Sequence, residues 1–482
     1  MNVKNKRKLM WDMKFCEENA NVQLILHHPV RKNIAFSCDA PWEGDTCGYG
    51  STVKVGDVVR LYYRAGKSQF EPNSTEGHGK ICVAESYDGG ITFTKPNVGL
   101  YEFEGSYENN IVYFDGRYLD NFSVYYDENP DCPPDEKFKV LASHGLCNGK
   151  AMLEYYKSAD GYKFTFSHII DVYGAYDTLN LVLWDDVKKV YRIYVRSFHA
   201  PDGSDIDVTN DYLRGHSLRD IRTAESTDMV HWTKPVMLEY EDGDKNLQLY
   251  TNGVTKYHRA DIFYGTPSRY YDRCGEMHNL KYIPTLYGRR EKLMQVASRT
   301  GTAMTDCVFM ISYDGKTFDR SAEAFMTPGP EDNENWIYGD CYPARGMVET
   351  PSEYEGCANE LSLYCGKGYR ARNIDFVRYT VRLDGVYSWY ANAKGGSVLS
   401  KPFVMGGDKL SVNFATSALG HLRIKLCDCD GNELCGYDSL NLFGDSVNRN
   451  VDFEKPLSDL CGKTLRMKIE LCDCHLYSFI FE

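Results

Sequence analysis

Short runs of alternating apolar and polar residues cover most of the chain, and they break at a recurring signature. Alternation with period two puts successive side chains on opposite faces of a strand. The signature is Ser-x-Asp, then a turn, then an aromatic residue. It starts at Ser86 (with Asp88, Gly89 and Phe93), Ser158 (Asp160, Gly161, Phe164), Ser226 (Asp228, Trp232) and Ser312 (Asp314, Gly315, Phe318). A weaker copy starts at Arg382, with Asp384, Gly385 and Trp389. The starts lie 72, 68, 86 and 70 residues apart. Asp-Gly makes a tight turn between two strands, and the aromatic packs back into the sheet. A strand-like run precedes each copy, at 81–85, 151–156, 222–225, 308–311 and 376–381. Two further strands come before it, at 50–55 and 58–64 in the first unit and at 179–184 and 190–198 in the third. Five such four-stranded units predict a five-bladed β-propeller.

The remaining segments are shorter. Residues 1–35 read as a lead-in with a short helix near 11–19, and residues 36–393 as the propeller, whose last blade ends near Ala391. The run from Lys394 to Ser397 reads as a linker. Alternating runs at 409–414, 421–426, 464–471 and 477–481 make residues 397–482 a C-terminal β-sandwich. The expected fold class is all-β, a five-bladed β-propeller followed by that sandwich. Whether the sandwich packs on its own propeller or on that of a second copy, in a homo-oligomer, is open at this stage.

Composition narrows the function. With 43% hydrophobic and 26% charged residues the chain is an ordinary globular protein. No apolar run approaches the ~20 residues of a membrane helix, and the basic residues at 4–8 are not followed by the apolar core of a signal peptide. A cytoplasmic protein with no membrane partner is expected. A net charge of −13 with both signs interspersed argues against a nucleic-acid partner. The 17 cysteines read mostly as small buried apolar residues of a reducing compartment. Cys427, Cys429, Cys472 and Cys474 alternate on two strands, a spacing that serves either a zinc site or a packed core. No His-x-His or His-Glu-x-x-His spacing, phosphate loop, dinucleotide fingerprint or nucleophile elbow is present, so no metal or cofactor is expected. Tyrosine dominates the aromatic residues, and a flat apolar face with a polar tip suits a sugar ring.

Propellers place function at a mouth of the central channel, so chemistry is sought just before the innermost strand of each blade. Those stretches carry Trp42, Glu43 and Asp45 for blade one, Asn110 for blade two, Asp177 and Asn180 for blade three, Tyr250 for blade four and Asp340 for blade five. Acids gathered in one funnel repel, and the repulsion separates their proton affinities. A proton donor and a nucleophile or base need that separation, and two carboxylates flanking the scissile bond are the central requirement of glycoside cleavage. Asp177 and Glu43 are the expected pair, with Asp45, Asp340 or Glu360 tuning them. Trp42, Asn110, Asn180, Arg64, Arg196 and Tyr250 are the expected sugar contacts. Arg64, Arg196 and Arg299 each follow an apolar strand run, where a guanidinium can orient a carboxylate or bind hydroxyls.

The runs DAPWE (39–43), SYDGGITFTKPNVGLYEFEGSYENNIV (86–112), LYTNGVTKYHRADIFYGTPSRY (249–270), SYDGKTFDRSAEAFMTPGP (312–330) and RYTVRLDGVYSWYA (378–391) resemble bacterial proteins related to glycoside hydrolase family 32. The stretches at 401–426 and 476–482 resemble the sandwich that follows the propeller in that group. The resemblance implies a sugar-sized funnel with acidic residues on blades one to three. It does not carry over the family's catalytic motifs. Asp39-Ala-Pro-Trp42-Glu43 stands where the family has a Trp-x-Asn-Asp-Pro-Asn-Gly-like motif, no Arg-Asp-Pro is present, and Tyr176-Asp177-Thr178 stands in place of Glu-Cys. The expected function is a glycoside hydrolase acting on short oligosaccharides, with a furanoside such as a fructoside or arabinoside favoured by analogy. A phosphorylase or transglycosylase, a non-catalytic carbohydrate binder and an interaction scaffold are the alternatives.

Overall fold

The computed structural model describes residues 6–67, 79–144, 146–147 and 150–482. Five sheets carry the repeat. Blade one is Gly48–Val55, Val58–Ala65, Lys80–Ser86 and Ile111–Tyr113. Blade two is Asn121–Tyr126, Phe138–Ser143, Leu153–Ser158 and Thr165–Ile170. Blade three is Leu181–Asp185, Val190–His199, Leu218–Ser226 and Val236–Met237. Blade four is Thr255–Lys256, Phe263–Gly265, Met310–Ser312 and Thr317–Arg320, with Glu239–Tyr240 added in parallel at its edge. Blade five is Val348–Thr350, Glu360–Lys367 and Asp375–Arg382, and its outermost strand is Val30–Ser37 from the N-terminal side. A strand from the start of the chain thus completes the last blade and closes the ring.

The signature turns are built as their residue types dictate. In each of the first four copies the serine hydroxyl donates to the aspartate Oδ1, at 2.7, 2.9, 3.0 and 2.9 Å. The same oxygen accepts two backbone N–H groups on the far side of the turn, for example from Lys316 and Thr317 at 2.8 Å each. The turn also joins blades. Tyr62 Oη donates to the Gly161 carbonyl at 2.9 Å, Tyr194 Oη to Gly315 at 2.7 Å and Tyr364 Oη to Gly90 at 2.5 Å. Each bond runs from the second strand of one blade to the turn of the next. In two of these joints an arginine two residues earlier adds a second bond, from Arg60 to the Asp160 carbonyl at 2.6 Å and from Arg192 to the Asp314 carbonyl at 3.1 Å. Apolar clusters fill the space between blades. Val83 and Val112 of blade one pack with Val124 and Val140 of blade two, and Val59 and Leu61 pack with Tyr364 and Phe376 of blade five.

The fifth copy departs from the rule. Asp384 is fully buried and takes Arg259 at 2.8 Å, Arg7 at 3.5 Å, Tyr257 Oη at 2.7 Å and Ser478 Oγ at 2.8 Å. Its carboxylate therefore joins the N-terminal segment, blade four and the C-terminal β-rich unit, which packs on its own propeller.

In that unit two 18-residue strands, Leu410–Cys427 and Thr464–Phe481, pair along their length with a register shift between Thr416 and His421. Gly396–Ser400 and Cys16–Ala20 flank one half of Thr464–Phe481, and Tyr387–Ala391, Gln23–Leu26 and Lys8–Leu9 flank the other. The stretch expected as a lead-in over 1–35 is thus divided between this sheet and blade five. The helix expected near 11–19 is replaced by the strand Cys16–Ala20, and Tyr387–Ala391 pairs here rather than in the last blade. Sheet pairing supplies both segments with backbone partners that no local pattern announces. Cys427 stands opposite Arg466, away from Cys472 and Cys474, so the register does not bring the four thiols together. Among the described residues no helix is long and apolar enough to cross a membrane, and no cluster of three or more histidine, cysteine, aspartate or glutamate side chains has metal-binding geometry.

Candidate functional site

The inner strands Gly48–Val55, Asn121–Tyr126, Leu181–Asp185, Thr255–Lys256 and Val348–Thr350 run side by side around the channel, and all begin at the same mouth. Arg345 crosses the channel from blade five and donates to the Val182 carbonyl of blade three at 2.7 Å, separating the leading mouth from the trailing one. In blades three, four and five, the loops between second and third strands rise around the leading mouth. They are long in blade three (200–217) and blade four (266–309), and the latter holds the helices Arg289–Val296 and Ser298–Thr302.

Tyrosines line this mouth. Tyr250 stacks on Tyr342 at 5.5 Å and on Tyr270 at 6.1 Å, and Tyr49 stacks on Tyr342 at 6.4 Å. Tyr338 meets Tyr250 edge-on and donates to its hydroxyl at 2.5 Å. A narrow cleft opens beside Tyr49, Arg64, Tyr338, Tyr342 and Tyr369. Guanidiniums lie over the rings: Arg219 at 4.0 Å from Tyr270, Arg196 at 4.6 Å from Tyr250, Arg64 at 5.0 Å from Tyr49 and Arg370 at 5.3 Å from Tyr369.

Two carboxylates stand at the start of neighbouring blades. Asp120 immediately precedes the inner strand of blade two. Arg64 donates to its carbonyl at 2.8 Å and sits 3.6 Å from its Oδ1, while Tyr118 Oη donates to Oδ1 at 3.3 Å. Its Oδ2 is buried and has no hydrogen-bond partner among the described residues. Burial, the largest cause, lifts the Asp120 pKa above the ordinary carboxylate value; Arg64 opposes the rise and the charge of Asp177 adds to it. Asp177 precedes the inner strand of blade three, with Arg196 at 3.7 Å and Arg214 at 3.8 Å from its two oxygens. The turn that presents it is fixed by amides. Asn180 Nδ2 donates to the Tyr176 and Thr178 carbonyls at 3.1 and 2.8 Å, and Asn121 Nδ2 donates to Tyr176 at 3.0 Å. Asn180 Oδ1 accepts the backbone N–H of Arg196 at 3.1 Å, so one buried amide ties the turn that presents Asp177 to the second strand of blade three.

Of the residues singled out from the sequence, Asp177, Arg196, Tyr250 and Arg64 therefore meet at this mouth, and Asn180 holds them in place. Asp45 lies at the rim between blades one and five, where its carbonyl accepts the Arg370 N–H at 2.6 Å. Asp340 is buried behind Tyr338. Its Oδ2 accepts the Ile337 N–H at 2.9 Å, and burial lifts its pKa to about 7. The carboxyl lines a separate cleft with His28, Asn335, Lys367 and Tyr379.

The others are elsewhere. Glu43 is buried inside blade one and its oxygens are taken by Tyr63 Oη, by Lys95 Nζ at 2.6 Å and by the Ala40 N–H at 2.9 Å. Trp42 and Asn110 bond to each other at 2.8 Å, and Asn110 goes on to Tyr63 at 2.9 Å. These three residues stitch the loop before blade one to its outer strands; Glu43 is buried with three of its acceptor sites already taken, so it does not open onto the leading mouth. Glu360 pairs opposite Thr350, the last residue of its inner strand, which puts it at the trailing end of blade five, 3.6 Å from Arg378. Arg299 is in the helix Ser298–Thr302 rather than at a strand end, yet it reaches the same tyrosines, 5.6 Å from Tyr338.

Sequence reasoning missed Asp120. Residues 108–110 stand where blade two was expected to start, but Ile111–Tyr113 is the outer strand of blade one, and the next blade starts at Asn121. The available signal was Asp120-Asn121 directly before the alternating run at 121–126, which parallels Asp177 and Asn180 before 181–185.

No protein family and no curated protein matches the chain. Solved structures share its architecture distantly. One is described under the GH130 family of mannoside phosphorylases, said to contain glycoside hydrolases that target β-1,2 mannosidic linkages in Candida mannan; it is 12% identical over 73% of this chain and 94% of its own, with a TM-score of 0.43. A glycosyl hydrolase from Bacteroides ovatus is 12% identical over 78% of this chain and 96% of its own, with a TM-score of 0.42. An N-acetylgalactosamine deacetylase from F. plautii, in complex with blood group B trisaccharide, is 12% identical over 93% of this chain and 95% of its own, with a TM-score of 0.41.

Proposed function

We propose that the protein cleaves glycosidic bonds at the leading mouth, with Asp120 donating the proton and Asp177 acting as the ionised partner. The observation that carries this reading is the contrast between the two carboxyls. Asp120 is desolvated, with one oxygen unpartnered and its pKa lifted. Asp177 is more exposed than Asp120, keeps one buried oxygen without a hydrogen-bond partner among the described residues, and faces two guanidiniums. Neighbouring acids whose surroundings drive their proton affinities apart are suited to the two roles of glycoside cleavage. The acid protonates the departing oxygen. The carboxylate either attacks the sugar carbon or activates the water that does. Tyr49, Tyr342 and Tyr369, half-buried at the cleft, are the rings within reach of a sugar, with Tyr250, Tyr270 and Tyr338 buried among them, and Arg64, by its bonds to Asp120, is a positioning residue.

The test is sugar release from fructo-, arabino-, galacto- and gluco-oligosaccharides by the full chain, with and without inorganic phosphate, beside an Asp177→Asn variant. Release that the variant loses supports the reading. A requirement for phosphate assigns the same pair to phosphorolysis. Binding without release, unchanged in Asp177→Asn, makes the mouth a lectin-like site and overturns it.

A further inference from the structure

We infer that the leading mouth takes a sugar carrying a carboxylate, a glycuronic acid, whose acid group seats on Arg196. The inference rests on the reading of this mouth as a glycoside-cleaving site and names the class of its substrate.

Arg196 is the starting point. Its side chain is 1% exposed, and none of its three guanidinium nitrogens has a hydrogen-bond partner among the described residues. A buried cation without partners is expensive, and its cost is offset by an opposite charge with matching geometry. Asp177 supplies part of that charge, but at 3.7 Å it lies beyond hydrogen-bond length and also faces Arg214 at 3.8 Å. The Arg196 guanidinium thus lies against the Tyr250 ring, 4.6 Å from its centre, with no acceptor of its own among the described residues. A guanidinium fork matches a carboxylate bidentately, and such charge-assisted pairs are about twice as strong as neutral ones.

Other guanidiniums share the mouth. Arg219 donates to Gln248 Oε1 at 2.7 Å and keeps a buried Nε that has no partner among the described residues, directly over Tyr270. Arg299 and Arg370 flank Tyr338 and Tyr369. Tyr342 Oη is buried and likewise has no partner among the described residues. Guanidiniums gathered around this mouth run against the grain of a chain with net charge −13, and they favour an anionic ligand over its neutral counterpart. The tyrosine faces beside it match the ring that carries the acid.

The experiment is calorimetric titration of the full chain with disaccharides of glucuronic or galacturonic acid, against the matching glucose or galactose disaccharides. At least a tenfold preference for the acid sugar is expected, shrinking as salt is raised. Arg196→Gln abolishes the preference. Arg219→Gln, at the half-buried guanidinium over Tyr270, reduces it. Equal or tighter binding of neutral sugars overturns the inference. So does inorganic phosphate that competes with the acid sugars and is required for release from neutral ones, because the anion seat then belongs to a co-substrate. Release of neutral sugars that depends on Asp120 leaves the cleavage reading standing while this inference falls. Tight binding of acid sugars with no release leaves this inference standing while the cleavage reading falls.

Discussion

Asp120 and Asp177 precede the inner strands of neighbouring blades, and the charge of Asp177 adds to the rise that burial gives the Asp120 pKa. With Asp120 as the proposed acid, turnover is expected to fall as pH rises through its elevated pKa. Asp120→Asn and Asp177→Asn each lower kcat by on the order of 10²–10⁴-fold with a smaller effect on KM. Asp177→Asn removes one of the charges that raise Asp120. A carboxyl ¹³C titration then reads Asp120 at a lower pKa than in the parent protein.

Asp340 tests whether burial alone governs a neighbouring acid. Its pKa is lifted from 3.8 to about 7 by desolvation, with the Ile337 N–H and Arg289 opposing. An acid whose folded pKa is raised loses stabilisation as pH climbs from its unfolded value to its folded one. The cost begins near pH 4, is complete above about pH 7, and is on the order of a few kcal/mol. Asp340→Asn keeps an acceptor for Ile337 and is more stable than the parent at pH 8, with no advantage at pH 4. Thermal unfolding at the two values measures the difference.

Asp384 joins three parts of the chain. Burial would raise its pKa, but Arg259 and Arg7 overcome that and hold it below the ordinary carboxylate value. The sign is therefore opposite to that of Asp340. Its contribution is complete above the unfolded pKa and is lost as pH falls through the depressed one. Asp384→Ala leaves two guanidiniums without their shared partner and destabilises the fold by about 3–5 kcal/mol. Denaturant unfolding reads this loss.

The joints between blades make a sharper packing prediction. A Cβ at Gly161, where φ is +77°, would stand 2.5 Å from Tyr62 Oη and 2.6 Å from the Phe138 ring. Gly161→Ala breaks the Tyr62 joint and costs about 2–4 kcal/mol. Gly203 has φ +84° with nothing near its missing Cβ, so Gly203→Ala shows only backbone strain of about 1 kcal/mol. Chemical denaturation of the pair separates steric overlap from strain.

The propeller was legible because its signature is local. Ser86, Asp88 and Gly89 lie within one turn, and the bonds that build the turn are made by those residue types at that spacing. The ring closure by Val30–Ser37 and the docking of Cys16–Ala20 were not legible, since both depend on strands more than 300 residues away in sequence. Asp177, Arg196 and Tyr250 were found because they flank recognisable strands. Glu43 drew notice as an acid near the start of blade one, but its role follows from Tyr63 and Lys95, which only the fold brings to it. Asp384 shows the same limit. It occupies the aspartate position of a signature turn, and its partners Arg7 and Ser478 lie near opposite ends of the chain.

The central claim is that Asp120 and Asp177, and not Glu43, carry out cleavage. The most direct measurement is sugar release from acidic and neutral oligosaccharides by the parent protein and by Asp120→Asn, Asp177→Asn and Glu43→Gln, each checked for folding by circular dichroism. The first two variants are expected to lose release while remaining folded, and folded Glu43→Gln to retain it. Release that survives in folded Asp120→Asn, or that disappears in folded Glu43→Gln, would contradict that claim.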